Sequence, residues 1–134
     1  MSDNSDFQGI SRLDHELPFV TGKLGWRYHH LGIPTRDTHP GEVYLPQFKF
    51  HVAGFSTSPF GIEWMRFDDD CPMHELIKTV PHLAFVVDDL DAELSRGGLT
   101  ILTPPNSPGD GIRVAMIVHN GAPVELMEFG MSGH

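Results

Sequence analysis

The chain has 134 residues, a formal charge of −9 and a pI near 5.3, with 40% of residues hydrophobic and 20% charged. These values fit one packed domain and not a disordered chain, and the acidic field repels phosphate backbones and anionic lipid, so neither nucleic acid nor a membrane is an expected partner. A lone cysteine, Cys71, allows no intrachain disulfide. The start Met1-Ser2-Asp3-Asn4-Ser5-Asp6 has no basic residue, and no stretch reaches the roughly 20 apolar residues of a membrane span, so the expected home is the cytoplasm.

Residues 1–25 keep neither a helical nor a strand period and read as an N-terminal extension partly draped over a single domain, 26–134. From Trp26 to Ile33 the chain is rich in β-formers and halts at Pro34, a first strand. Alternation places Tyr28, His30 and Gly32 on one face and His29, Leu31 and Ile33 on the other, so the two adjacent histidines are not expected to serve one site. Residues 35–41 are turn chemistry, and a helix through 42–45 would be cut short before Pro46. Strands are expected over 47–55 and 61–67. Asp68-Asp69-Asp70 lacks the spaced ligands of a calcium loop and reads as a solvated linker, followed by a short helical or irregular stretch, 73–79.

The second half opens with a strand over 80–87. A short helix follows over 88–96, with Leu90 and Leu94 at i, i+4 and Gly97-Gly98 to end it. Residues 99–102 read as a strand and 103–111 as a proline-bounded loop. The β-rich runs 112–118 and 123–129 flank His119-Asn120-Gly121-Ala122, and an Asn-Gly pair between such runs predicts an antiparallel hairpin.

Part of the chain occurs twice. His30-Leu31-Gly32-Ile33 matches His82-Leu83-Ala84-Phe85, and Ile62-Glu63-Trp64-Met65-Arg66-Phe67 matches Val124-Glu125-Leu126-Met127-Glu128-Phe129. The openings lie 52 residues apart and the closings 62, a difference that one helix present only in the second copy accounts for. Two matches in the same order indicate duplication, with modules at 26–70 and 80–130.

His-Leu-Gly-Ile-Pro opening one half, His-Leu-Ala-Phe-Val-Val-Asp-Asp-Leu-Asp opening the other and Val-Glu-Leu-Met-Glu-Phe closing the chain resemble the vicinal oxygen chelate superfamily of glyoxalases, bleomycin-resistance proteins and ring-cleaving dioxygenases. The resemblance spans about Tyr28 to Phe129. It implies an α+β fold of two βαβββ modules, the first with a shortened or missing helix, forming a curled mixed sheet around a cleft that holds a divalent metal ion. Carried over residue by residue, the implied ligands are His30, Glu63, His82 and Glu125, a set suited to Zn, Ni, Co, Mn or Fe. Parity agrees: Glu63, Met65 and Phe67 share a face, as do Glu125, Met127 and Phe129, so each carboxylate has apolar neighbours beside which it is costly to leave unpaired.

Alone, His82 would be an ordinary strand histidine bonded to a carbonyl, and Glu63 and Glu125 would be solvated; the repeat argues against both. It also selects His30 over His29. His39, His51, His74 and His119 have no repeat partner, and Cys71 has no recognisable base. The resemblance implies a metal-dependent glyoxalase-like lyase or isomerase acting on a small substrate with vicinal oxygens, in which the ion polarises a carbonyl while Glu125 or Glu63 takes a proton from the adjacent carbon. Both glutamates being present argues against a dioxygenase, whose metal takes two His and one Glu. The alternative is a non-catalytic protein of the bleomycin-resistance type that sequesters a small molecule. Tyr44, His51, Trp64 and Arg113 are candidates to line the cleft, and a homodimer is expected from the family's habit.

Overall fold

A computed structural model of the chain describes residues 12–130; the remainder of the expected extension, 1–11, and residues 131–134 lie outside it. Eight strands form one curled mixed sheet: β1 (Arg27–Pro34), β2 (Val43–Leu45), β3 (Phe50–Ala53), β4 (Ile62–Phe67), β5 (His82–Val86), β6 (Thr100–Gly109), β7 (Ile112–His119) and β8 (Ala122–Phe129). Three short helices, α1 (Phe19–Gly22), α2 (Glu75–Thr79) and α3 (Leu90–Ser95), complete the described chain. No helix among the described residues is long and apolar enough to cross a membrane.

The order β2-β3-β4-β1-β5-β8-β7-β6 is two copies of one pattern set back to back. In each copy the first strand runs parallel to the last, β1 beside β4 and β5 beside β8, and the copies join through the antiparallel pair β1–β5. The registers are equivalent as well. Gly32 lies opposite Glu63 as Ala84 lies opposite Glu125, and Leu31 pairs with Leu83 at the centre of the seam, between the reciprocal pairs His30–Ala84 and Gly32–His82. The sequence repeat is therefore a spatial one.

The convex face of the second module carries the main core. Trp26, Val87, Leu90, Ala115, Ile117 and Leu126 are buried together, with Val20 and Leu24 from the approach to β1 packed on them. Leu90 and Leu126 are fully buried, each contributing about 1.5–3 kcal/mol of transfer free energy. Helix α3 brings Leu90 to this cluster. Asp89 caps it by accepting from the Ala92 N–H, and Glu128 accepts from the Leu90 N–H at 3.1 Å.

The first module has no helix between β1 and β2. Instead the imidazole of His39 stacks on Trp64, centroids 5.1 Å apart, at the register position that Leu126 occupies in the other copy. Glu42 grips Arg66, the counterpart of Glu128, through two hydrogen bonds of 2.7 and 3.0 Å. A loop with one ring and one ion pair thus covers the face that a helix covers in the second module.

Two expectations need correction. Residues 43–45 are the edge strand β2, not a truncated helical turn, and 103–109 belong to β6 instead of forming a loop. β6 carries Pro104, Pro105 and Pro108, shifts register three times against β7 and lies at the sheet edge, where a missing N–H leaves no ladder partner unsatisfied. The hairpin between β7 and β8 is as expected, with positive φ at both Asn120 (50°) and Gly121 (81°), the requirement of a type I′ turn.

Candidate metal centre

The four residues singled out by the repeat meet on the concave face, at the floor of a cavity of about 470 Å³. The seam explains why they fit. His30 lies opposite Ala84 and His82 opposite Gly32, so each imidazole faces a small residue across the β1–β5 pair. At Gly32 the fit is tight: a Cβ there would overlap the His82 ring, which would have to move.

Both imidazoles turn Nε2 toward the carboxylates. Glu125 Oε1 is 3.3 Å from His30 Nε2 and 3.2 Å from His82 Nε2, and the two rings meet edge to face with centroids 5.5 Å apart. His30 and His82 are buried, at 3% and 2% exposure. The ligand atoms of His30, His82 and Glu125 all lie within 4.8 Å of one another, a grouping able to hold a metal ion. Glu63 approaches from the other side, its Oε1 3.5 Å from His30 Nε2 and outside that tight group.

The two carboxylates are held differently. Burial raises the pKa of Glu63, with His30 acting against the rise and the Glu125 charge adding to it. Burial also pushes Glu125 upward, but hydrogen bonds from His30 and His82 outweigh it and hold this carboxylate at about 2.

This donor set fits a divalent ion. At 3.2–3.3 Å from Glu125 Oε1, each Nε2 can donate its N–H to the carboxylate or, in the other tautomer, offer a lone pair to a cation shared with it. In the second form the three ligand atoms, all within 4.8 Å of one another, are placed to share one divalent ion. His30, His82 and Glu125 would hold the metal, with Glu63 beside it.

The neighbour of His30 is also part of the centre, contrary to strict alternation. The β1–β5 register slips between Tyr28 and His30, and this irregularity leaves His29 Nδ1 2.7 Å from His30 Nδ1. The His29 ring packs between Phe55 and Phe129. Its pKa is lowered, first by burial and then by His30, with Glu125 opposing. A neutral His29 can accept the Nδ1 proton of His30 and so direct the Nε2 lone pair of His30 into the cluster. His82 Nδ1, by contrast, is buried without a hydrogen-bond partner among the described residues.

None of Tyr44, His51, Trp64 and Arg113 lines the cavity. Tyr44 donates to Asp68 at 2.6 Å, Trp64 lies on the convex face under His39, and Arg113 is gripped by Asp91 at 3.0 and 3.1 Å. The walls include Phe50, Phe55, Met65, Met116 and Met127. Parity identifies Met65 and Met127, two places beyond the glutamates. No comparable signal marks Met73 and Ile77, which reach the cavity from the inter-module linker.

With the sheet and site in view, the architecture is the vicinal oxygen chelate fold. The structure is similar to a hypothetical protein, BH1468, from Bacillus halodurans C-125, with a TM-score of 0.51 and 19% identity over 93% of this chain and 91% of that one. It is also similar to methylmalonyl-CoA epimerase from Mycobacterium tuberculosis, with a TM-score of 0.52 and 23% identity over 78% of this chain and 88% of that one. No protein-family model matches the sequence, and comparison with curated proteins gives no match.

Proposed function

We propose that this protein is a metal-dependent lyase or isomerase that moves a proton next to a carbonyl on a small substrate bearing two neighbouring oxygens. The observation that carries the proposal is the position of Glu125 Oε1, within 3.3 Å of the Nε2 atoms of two buried histidines from different modules. His30, His82 and Glu125 are the ligands in this reading. A bound divalent ion would supply Lewis acidity, polarising the carbonyl and making the adjacent C–H more acidic. Glu63, outside the tight group and raised in pKa by burial, is the base that takes the proton and returns it. An epimerase with this fold, as the Mycobacterium tuberculosis protein is titled, performs chemistry of the same class.

Metal analysis of protein purified without added metal, followed by titration, tests the proposal. One divalent ion per chain is expected, lost in Glu125→Ala and kept in Glu63→Gln. Failure to bind any divalent ion under any loading ends it. The rival reading, sequestration without chemistry, uses the same cleft but gives Glu63 no task. A natural ligand recovered unchanged from metal-free protein would favour that rival.

A further inference from the structure

The chain has six methionines, and the four within the described residues, Met65, Met73, Met116 and Met127, all line the cavity above the His–Glu floor. They come from β4, the linker, β7 and β8, so this convergence is made by the fold and not by one local segment. Phe50 and Phe55 add aromatic surface on the first-module side. Among the described residues no lysine or arginine lines this cavity, and its only carboxylates are Glu63 and Glu125. Its carboxylates lie at the floor, and beyond the floor the polar side chains on the walls are His74, Thr103 and Asn106.

We propose that the substrate has an apolar, aromatic body with its paired oxygens at one end and no anionic group elsewhere. For the oxygen-bearing end this rests on the reading above; for the body it rests on the walls alone. A carboxylate or phosphate carried deep into these walls would lose its hydration and meet no lysine or arginine in return. An aromatic ring instead meets polarisable thioethers, which contact ring edges favourably and adapt to its outline. The volume of about 470 Å³ lies in the range of small-molecule sites. An anionic carrier thioester therefore fits poorly inside this cavity, although a protein of the same fold is titled as acting on one.

The test is calorimetric titration of the full chain, loaded with Zn²⁺, with hydroxamates that present the same two neighbouring oxygens on different bodies. Benzohydroxamate is expected to bind at least tenfold tighter than acetohydroxamate, since each buried methylene gives about fourfold. 4-Carboxybenzohydroxamate should lose that gain. Equal affinities, or tighter binding of the carboxylated probe, overturn the proposal. N-phenyl-1-naphthylamine, a neutral apolar fluorophore, is titrated into metal-free protein in parallel and should bind with a rise in emission that benzohydroxamate reverses. Hydroxamates that bind only loaded protein but regardless of body sink the substrate class and leave the metal reading standing. Naphthylamine binding, with no hydroxamate preferring loaded over metal-free protein, sinks the metal reading while the apolar cavity stands.

Discussion

Gly32 and His82 face each other across the seam of the two modules, and the imidazole of His82 occupies the space a Cβ at position 32 would need. The counterpart pair, His30 and Ala84, accommodates a methyl group, so the two halves of the centre are not interchangeable. Gly32 has no positive φ, and the demand on it is steric and not conformational. In Gly32→Ala the His82 ring must leave its place. Overpacking of this kind costs about 1–3 kcal/mol, but the larger effect should fall on metal binding. Equilibrium denaturation and metal titration of the same variant separate the two; wild-type metal affinity in Gly32→Ala would show that the ring is free to relocate.

His29 gives the second prediction. His29→Phe keeps a ring between Phe55 and Phe129 but removes the nitrogen 2.7 Å from His30 Nδ1. Loss of an outer hydrogen-bond partner that orients a ligating histidine lowers metal affinity about 10- to 100-fold. Competition with a chromophoric chelator measures this, and His29→Asn, whose side chain retains an acceptor, should recover part of the loss. If both variants bind metal as the parent does, His29 has only a packing role.

How much of this was legible in the sequence follows from where each feature is encoded. The repeat could be found because duplicated register preserves residue type at His30 and His82 and at Glu63 and Glu125, and the pleat then fixes which face each takes. His29 escaped because a strand irregularity suspends the alternation that parity arguments assume, and nothing in Tyr28-His29-His30 signals it. β6 escaped because Pro104, Pro105 and Pro108 have the local chemistry of a loop, and only the strand's place at the sheet edge makes them tolerable. The cover over the first module is non-local: His39 and Trp64 are 25 residues apart, and neither predicts the other.

The third prediction concerns how α3 is anchored. Trp26 Nε1 donates to Glu93 Oε1 at 2.9 Å in a buried contact, while Arg96 holds the same carboxylate from the more exposed side at 2.8 and 3.3 Å. Glu93→Leu leaves the indole N–H buried without an acceptor, a loss of about 1–3 kcal/mol. Glu93→Gln retains a carbonyl for the indole and should lose less. Urea denaturation with an unchanged m-value checks both, and equal stabilities for the two variants would mean that the indole finds another acceptor.

The loop that replaces the first-module helix should announce itself through pH. The Arg66 fork is the main cause that holds Glu42 at about 2, below its ordinary 4.5. A carboxyl depressed in the folded state binds fewer protons there than in the unfolded chain, so its contribution is complete above pH 4.5 and is lost as pH falls through the folded value of about 2. Glu42→Gln removes the titration but leaves a side chain of similar shape. Melting temperatures of parent and variant should differ by a constant amount near neutrality, and the gap should narrow steadily from about pH 4.5 downward. A gap independent of pH would mean that Glu42 supports the His39–Trp64 cover by shape alone. Closure of the gap on acidification would show that the ionised Glu42, held by Arg66 and by the His39 N–H, stabilises this loop through its charge.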